Sequence, residues 1–163
     1  MITTVSIICL FLAYLYLSHL LSYKILKNRI LKKNKWELNI CCGKTDGGGV
    51  NADIVKHMDV PSFVHIKDIY NLPFKDREFE TVICSHTIEH LDDPERFYNE
   101  LKRVGKEVTL VLPPLWDFTA AFNFLEHKYI FLCWRKIHEK LPPFVPLPLS
   151  TFYHKRFGQK IKA

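Results

Sequence analysis

Hydrophobic positions in the middle of the chain fall into short runs that end in small or polar residues. Four such runs cover residues 36–43, 50–53, 63–68 and 79–86. A fifth run covers residues 108–112 and is stopped by Pro113 and Pro114. Short, nearly continuous apolar runs bounded by turn residues are typical of strands buried on both faces. The pattern therefore predicts a sheet whose strands are mainly parallel.

A helical pattern separates the fourth run from the fifth. Phe97, Leu101 and Val104 recur at helical spacing, and Pro94 stands where proline is favoured, in a first turn. The predicted fold class is α/β, a compact Rossmann-like, mainly parallel sheet with flanking helices, preceded by one transmembrane helix. Only seven residues separate Cys42 from Val50, too few for a crossover helix, so a loop is expected there.

The first 23 residues contain no Asp, Glu, Lys or Arg. As a helix they would span roughly 34 Å, enough to cross the hydrocarbon core of a bilayer. A cleaved signal peptide and a buried core helix are the competing interpretations. Nothing basic precedes Ile2, whereas a signal peptide usually begins with a basic region. We therefore predict that residues 1–23 are a membrane anchor in contact with the lipid bilayer.

The net charge of +6 is concentrated at two places. Residues 24–35 carry six basic side chains and no acidic one, and the C-terminal tail carries Lys155, Arg156, Lys160 and Lys162. The rest of the chain has more acidic than basic residues, so no nucleic-acid partner is expected. A basic segment beside an apolar span favours the cytoplasmic side for that flank and can attract anionic headgroups. The prediction is a single-pass membrane protein with its domain in the cytoplasm.

The five cysteines do not form a recognisable framework. Cys41 and Cys42 are adjacent, the others stand apart, and no C-x-x-C motif occurs. Neither a disulfide scaffold nor a zinc ribbon is indicated. Free thiols agree with a reducing compartment.

Taken together, residues 36–113 resemble a class I methyltransferase of the type 11 group that depends on S-adenosylmethionine (SAM), in its compact form. The resemblance is carried by the order of the runs, by Leu72-Pro73-Phe74 and by Glu89-His90. It implies SAM as cofactor. It covers about half of the chain and departs from the family at Cys41, where the family commonly has glycine.

The resemblance also implies roles for particular residues. The turn at Cys42 and Gly43 would approach the cofactor with its backbone, and Asp53 would accept hydrogen bonds from the ribose hydroxyls. Asp68 would lie beside the adenine amine, with Ile69 or Tyr70 covering the ring.

His86 would follow the fourth strand and face the methyl-transfer cleft. The resemblance makes it a cofactor-binding residue and the candidate catalytic residue.

Residues 86–90 also read literally as H-x-x-E-H, a zinc-binding pattern of certain peptidases. That chemistry needs both histidines on one face of a continuous helix. Here the motif comes directly after a predicted strand, and Asp92-Asp93-Pro94 would interrupt a helix that continued from it. No metal is therefore expected.

Beyond Pro114 the resemblance ends, and the two further strands of the family are not evident. Residues 119–141 are rich in aromatics and predict a helix that either covers the sheet or contacts a membrane surface or acceptor. Residues 141–148 contain four prolines and must be extended. The predicted organisation is an anchor (1–23), a basic juxtamembrane segment (24–35), the SAM-binding core (36–113) and a helical C-terminal extension (114–163).

Two functions from different classes fit these features. The first is a membrane-anchored, SAM-dependent methyltransferase acting on an unidentified small-molecule or membrane-linked acceptor. The second is a degenerate, non-catalytic relative that serves as a membrane scaffold or binding protein, which Cys41 and the missing crossover helix favour.

Overall fold

A computed structural model describes residues 2–32 and 36–159 of the chain. The N-terminal part is helical throughout, as α1 (Ile2–His19), a π-helical segment (Leu20–Leu26) and α2 (Lys27–Leu31). The remaining elements are β1 (Trp36–Ile40), β2 (Gly48–Asp53), β3 (Phe63–His65), β4 (Phe79–Ser85), a 3₁₀ turn (Ile88–His90), α3 (Pro94–Val104), β5 (Gly105–Val111), α4 (Phe118–Ala121), β6 (Tyr129–Phe131), β7 (Ile137–His138), β8 (Phe144–Pro146) and α5 (Ser150–Phe157).

Six of the strands form one sheet in the order β3-β2-β1-β4-β5-β7. β1 to β5 run parallel to one another, and β7 lies antiparallel beside β5 at the edge of this sheet. β6 and β8 pair separately as a small antiparallel ribbon. The predicted α/β fold class with a mainly parallel sheet is confirmed.

The link between β1 and β2 has no helix, as predicted. Residues 41–47 connect the two parallel strands directly, and Leu38 is in register with Val50. The strands approach closely at Gly49, where an added Cβ would lie 2.5 Å from the carbonyl oxygen of Glu37. Glycine at this position allows the short link to close.

Helices cover the two faces of the sheet with different residues. Phe97, Leu101 and Val104 of α3 are fully buried in the main core, which also contains Val82 and Cys84 of β4. Ile83 lies between those two and points to the other face, because side chains alternate along a strand. There it clusters with Ile30, Leu31, Trp36 and Val111. The end of the N-terminal helix is therefore the second layer of the domain.

The same helical run is mostly exposed nearer its start. Residues Thr3–Leu31 form a helix long and apolar enough to cross a membrane, and only 6% of its apolar 18-residue stretch is buried. A core helix is usually mostly buried, so low burial disfavours that alternative. A cleaved signal sequence could be equally apolar and equally exposed. Lys33 and Lys35 of the basic segment, like Lys160 and Lys162 of the tail, lie outside the described residues.

The predicted helix over residues 119–141 is wrong. Only Phe118–Ala121 is helical, and the chain then forms β6 and β7. Tyr129–Phe131 pairs with Phe144–Pro146, while Ile137 pairs with Val111 of the main sheet. Aromatic and β-branched residues suit strands, and this pairing overrides a helical pattern that had no clear stripe. The expectation that residues 141–148 are extended is confirmed for Phe144–Pro146, which form β8, whereas Pro148 lies in a turn.

Candidate functional site

The turn after β1 bends back over the end of β2. Cys41 has φ 52° and Gly43 has φ +56°, both in the left-handed region. The N–H of Cys42 donates to the carbonyl of Ala52 at 3.2 Å. Left-handed backbone costs a non-glycine residue roughly 1–2 kcal/mol. That cost is the physical reason why glycine would be expected where this chain has Cys41.

Asp53 ends β2 and holds this turn in place. Its side chain is buried, and its Oδ2 accepts a hydrogen bond of 2.8 Å from the N–H of Gly43. Its Oδ1 accepts one of 2.7 Å from the N–H of Ile54. The predicted residues Cys42, Gly43 and Asp53 therefore meet at one edge of the sheet. Sequence reasoning placed them there without identifying the hydrogen bond that joins them.

The surroundings of Gly43 have room for a ligand. A Cβ added at Gly43 would have no heavy atom within 4 Å, so open space adjoins the backbone beside Asp53. A carboxylate oxygen has two lone pairs, and Oδ2 of Asp53 receives one described hydrogen bond. One acceptor position is therefore left for a hydroxyl group. These residues fit a ribose-containing cofactor.

Asp68, Ile69 and Tyr70 come after β3, the neighbour of β2. Asp68 is exposed, and its Oδ1 accepts a hydrogen bond of 2.8 Å from the N–H of Tyr70, which closes a local turn. The hydroxyl of Tyr70 accepts from the N–H of Asp93 at 3.1 Å and its ring packs against Phe97. Ile69 is half-buried against the core. All three lie at the predicted edge, and in this structure each makes contacts that stabilise the fold.

His86 comes after β4 and is enclosed on three sides. Lys136 Nζ lies 2.7 Å from its Nε2, Glu89 Oε1 lies 3.3 Å from its Nδ1, and the ring of Tyr23 packs edge-on at 5.4 Å. Burial lowers the pKa of His86 to about 4, so the imidazole is neutral at pH 7. With Nε2 accepting from the Lys136 ammonium, the ring proton is on Nδ1 and points toward Glu89. The structure places this residue at the predicted edge, although it is not freely accessible there.

Lys136 and His127 also belong to this region, and sequence reasoning did not find them. Lys136 is buried and reaches both His86 Nε2 and, at 2.9 Å, Oγ of Ser22 on the N-terminal helix. Burial lowers the pKa of Lys136 to about 8. Both residues lie far along the chain from the 86–90 motif, and neither is part of any pattern that could have pointed to it.

Glu89 is the most deeply buried ionisable group of the region. It has no exposed surface, and no well-aligned hydrogen bond reaches either carboxylate oxygen. Two histidine nitrogens face Oε1, His86 Nδ1 at 3.3 Å and His127 Nε2 at 4.0 Å. Burial raises the pKa of Glu89, but the attraction of His86 and His127 outweighs it and the net pKa lies well below the usual range. A carboxylate is thus held at the centre of several histidines.

Comparison with known proteins identifies one part of the chain. Residues 50–111, from β2 to β5, match the family model described as "methyltransferase domain", of the type 11 group. Among curated proteins, none matches the sequence. The predicted resemblance is confirmed for this segment, together with SAM as the cofactor of that class of methyltransferase.

Solved structures with a similar arrangement include methyltransferases from several bacteria. One is a SAM-dependent methyltransferase of Thermotoga maritima described as a possible histamine N-methyltransferase, with 20% identity, 61% of this chain and 57% of that chain covered, and a TM-score of 0.44. The YcgJ protein of Bacillus subtilis shows 19% identity, 60% and 57% coverage, and a TM-score of 0.45. A SAM-dependent methyltransferase of Aquifex aeolicus shows 18% identity, 58% and 66% coverage, and a TM-score of 0.41. The chain thus spans less than two thirds of the length of each of these proteins.

Proposed function

We propose that this chain, whose residues 50–111 belong to the type 11 methyltransferase domain family, is a membrane-anchored methyltransferase. It uses SAM and transfers the methyl group to a small or membrane-linked acceptor. The observation that carries the proposal is the hydrogen bond between Asp53 and the backbone of Gly43, beside open space at the edge of the parallel sheet. In open α/β sheets, ligands bind outside the carboxyl ends of the strands.

The proposed cofactor site uses Asp53 for the ribose, the backbone of Cys42 and Gly43 for close approach, and Asp68 with Ile69 or Tyr70 for the adenine. When bound, the cofactor supplies an activated methyl group on a sulfonium. The protein's part is then mainly to align the acceptor with that group, since orientation accounts for much of the acceleration of such a displacement. In this proposal Asp53 fixes the cofactor by its free lone pair while still holding the turn.

His86 is proposed to contact the acceptor. It comes after β4, which lies beside β1 in the sheet, and it therefore lies next to the cofactor edge. Its Nε2 is taken by Lys136, so His86 can accept a proton from an acceptor only if Lys136 Nζ moves away. The enclosed geometry supports a role in shaping the acceptor side more directly than a role as free base.

The membrane part of the proposal is supported by the surface beside α1. The Tyr14 hydroxyl donates to the carbonyl of Trp116, and the ring of Phe118 packs 6.2 Å from that of Tyr14. Three aromatic side chains are exposed next to this contact, those of Phe118, Phe122 and Trp134. Trp134 is the most exposed of the three, at 70% of its surface. Aromatic side chains of this kind are typical of the membrane–water interface. The acceptor would then reach the site from the membrane surface, as a lipid, a quinone or a membrane-linked glycan would.

The helix docking argues against cleavage near residue 23, and it leaves the residues before Tyr14 as the part of the helix that can enter a bilayer. Ser22 is fully buried, and Tyr14, Ser22 and Tyr23 all contact the domain. A signal peptidase cut near residue 23 would remove all of these contacts. The predicted cytoplasmic orientation stays a proposal that rests on the basic residues after the apolar segment.

The cofactor proposal is tested by calorimetric titration of SAM into the full chain in detergent. We expect saturable micromolar binding, which Asp53→Ala weakens by about 10- to 100-fold because a hydrogen bond to a charged group is worth roughly 1.5–3 kcal/mol. Asp59→Ala is the matched control, since Asp59 is an exposed aspartate of the loop after β2. Unchanged affinity in an Asp53→Ala variant with native circular dichroism would refute the assignment.

The anchor is tested separately by carbonate washing of membranes and by the mass of the purified protein. An uncleaved anchor keeps the full-length chain in the membrane fraction with its N-terminus present. A shorter, soluble form would support a signal peptide and remove the membrane part of the proposal.

A non-catalytic scaffold is the second candidate. It is favoured by Cys41 at a left-handed position and by the three backbone hydrogen bonds that the Asp53 carboxylate already accepts, from Gly43, Ile54 and Val55. The same titration separates the two functions. A folded, full-length chain that does not bind SAM would be a scaffold and not a methyltransferase.

A further inference from the structure

The segment after α4 brings a histidine to the turn after β4. The N–H of Lys128 donates to the carbonyl of Glu89 at 2.8 Å, which places the preceding residue, His127, against the Glu89 side chain. The rings of His90 and His127 then meet at 4.7 Å, nearly perpendicular to each other. One ligand atom from each of Glu89, His90 and His127 lies within 4.8 Å of the other two.

Each of the three groups has an atom suited to a metal ion. The Nδ1–H of His90 donates to the carbonyl of Glu126 at 2.9 Å, which leaves Nε2 as a free lone pair. Metal-bound histidines commonly hold their other ring nitrogen in this way. The ring of His127 is buried, and its Nε2 faces the Glu89 carboxylate, 4.0 Å from Oε1.

The strongest indication is the state of Glu89. The Nδ1–H of His86 faces one oxygen of this fully buried carboxylate at 3.3 Å but is not well aligned. Such a group is costly, because burial of a charge must be offset by pairing, hydrogen bonds or a metal. No Lys or Arg forms an ion pair with Glu89 among the described residues. Coordination of a cation by the Glu89 carboxylate would remove this cost.

We propose that Glu89, His90 and His127 form a binding site for a divalent transition-metal ion, with zinc as the best match. Two imidazoles and one carboxylate are an established ligand set for zinc, which leaves a fourth position for water or another group. Ligand atoms around a tetrahedral zinc lie about 3.3 Å apart, given Zn–N and Zn–O bonds of about 2.0 Å. The Glu89–His127 distance of 4.0 Å would therefore shorten by less than about 1 Å on binding.

This site differs from the zinc pattern that the sequence suggests. That pattern needs His86 and His90 on one helical face, whereas His86 here contacts Lys136 and the third ligand comes from His127. The expectation that no metal binds was formed from the 86–90 motif and from the absence of a C-x-x-C motif. None of the three ligands is a proposed cofactor residue, but the ion would lie beside the acceptor side, because Glu89 Oε1 is 3.3 Å from Nδ1 of His86. Its test reads zinc binding directly and so does not depend on SAM binding.

The test is zinc binding by the full chain, purified in detergent without a histidine tag and stripped of metal. We expect one zinc per chain by mass spectrometry of the eluted metal after loading and desalting, and a higher unfolding temperature with zinc. His127→Gln and Glu89→Gln should each weaken binding by more than about 100-fold, since even loss of a residue that only supports a ligand costs 10- to 100-fold. The exposed histidine variant His65→Gln is the matched control and should bind as the parent does.

Cobalt substitution gives an independent readout on the unaltered chain. The visible spectrum of bound Co²⁺ should show the strong bands of a four-coordinate site and should disappear on addition of zinc. Less than stoichiometric zinc in the unaltered chain would overturn the proposal. Zinc binding that persists in a folded His127→Gln variant would also overturn it. So would a His65→Gln variant that loses as much zinc affinity as His127→Gln does.

Discussion

Lys136 Nζ donates a hydrogen bond of 2.9 Å to Ser22 Oγ, which joins two residues 114 positions apart. The same ammonium lies 2.7 Å from Nε2 of His86 at the end of β4. One buried side chain therefore connects the apolar N-terminal helix to the edge of the sheet where the candidate site lies. Substitutions at the docked positions of that helix should therefore change the free energy of unfolding of the whole domain.

Ser22→Ala should destabilise the full chain by about 1–3 kcal/mol. The substitution removes an acceptor from a buried ammonium, and a buried donor without a partner costs this amount. The measurement is the free energy of unfolding in detergent. Thr4→Ala, an exposed position of the same helix, is the control and should change stability by less than about 0.5 kcal/mol. Equal effects of the two substitutions would mean that the helix is not docked through Ser22.

Stability should rise with pH between about 8 and 10.5 because of Lys136. Burial lowers its pKa to about 8 from an ordinary value of 10.5, so in this range the unfolded chain binds more protons than the folded chain. The free energy of unfolding therefore increases with pH there and is flat, for this group, below about 8. Comparison with Lys136→Met isolates the effect, and the variant should lack this rise. Parallel curves for the two proteins would contradict the lowered pKa of Lys136.

Arg103→Lys should destabilise the domain by about 1–3 kcal/mol, because several hydrogen bonds to a charged group are lost. The guanidinium donates to the carbonyls of Leu72 and Phe74 and to the carboxylates of Asp76 and Glu100, so it fixes the Leu72-Pro73-Phe74 segment to α3. Lysine cannot reproduce this planar set of donors. Denaturant unfolding measures the loss.

Arg96→Lys is the matched control for this test. Arg96 is also on α3 but is exposed, and its guanidinium lies over the ring of Tyr70, 4.8 Å from the centroid. Its substitution should change the free energy of unfolding by less than about 0.5 kcal/mol. A loss as large as that of Arg103→Lys would mean that helix propensity, and not the hydrogen bonds, sets the result.

Alanine at Gly49 should be far more harmful than alanine at Gly43. A Cβ at Gly49 would lie within 2.6 Å of the carbonyl oxygens of Glu37 and Trp36, so β1 and β2 would have to separate. At Gly43 an added Cβ has open space around it. Alanine there should destabilise the protein by about 1–2 kcal/mol, because its backbone would have to keep a positive φ. Circular dichroism and thermal unfolding compare the two variants. A Gly49→Ala protein as stable as Gly43→Ala would mean that the two strands are not packed as described.

The parallel sheet could be predicted because its signals are local. The apolar runs that became β1, β2, β4 and β5 each end close to a turn residue, and α3 begins at Pro94 as expected. The short link after Cys42 also predicted correctly that no crossover helix lies there. The positions of Asp53 and His86 agree with the rule that strand ends of a parallel sheet share one edge.

The C-terminal part could not be predicted, because its structure depends on partners distant in sequence. Tyr129–Phe131 becomes a strand only because it pairs with Phe144–Pro146, and the two residues of β7 are held by β5. For the same reason His127 and Lys136 could not be foreseen beside the 86–90 motif. The role of Ile30 and Leu31 was missed as well, since residues 24–35 were interpreted as a basic juxtamembrane segment and not as part of the core.

The packing of Ile30 and Leu31 on Ile83 and Val111 sets an order of events in biogenesis. The helix is synthesised first, and β4 and β5, which it covers, emerge later. If the helix has entered a bilayer by then, the sheet folds against a layer that is already fixed at the membrane. Chains that lose the helix would expose an apolar sheet face to water and become substrates for aggregation or degradation. The covering helix is thus needed to keep this face of the sheet out of water, wherever the helix itself comes to lie.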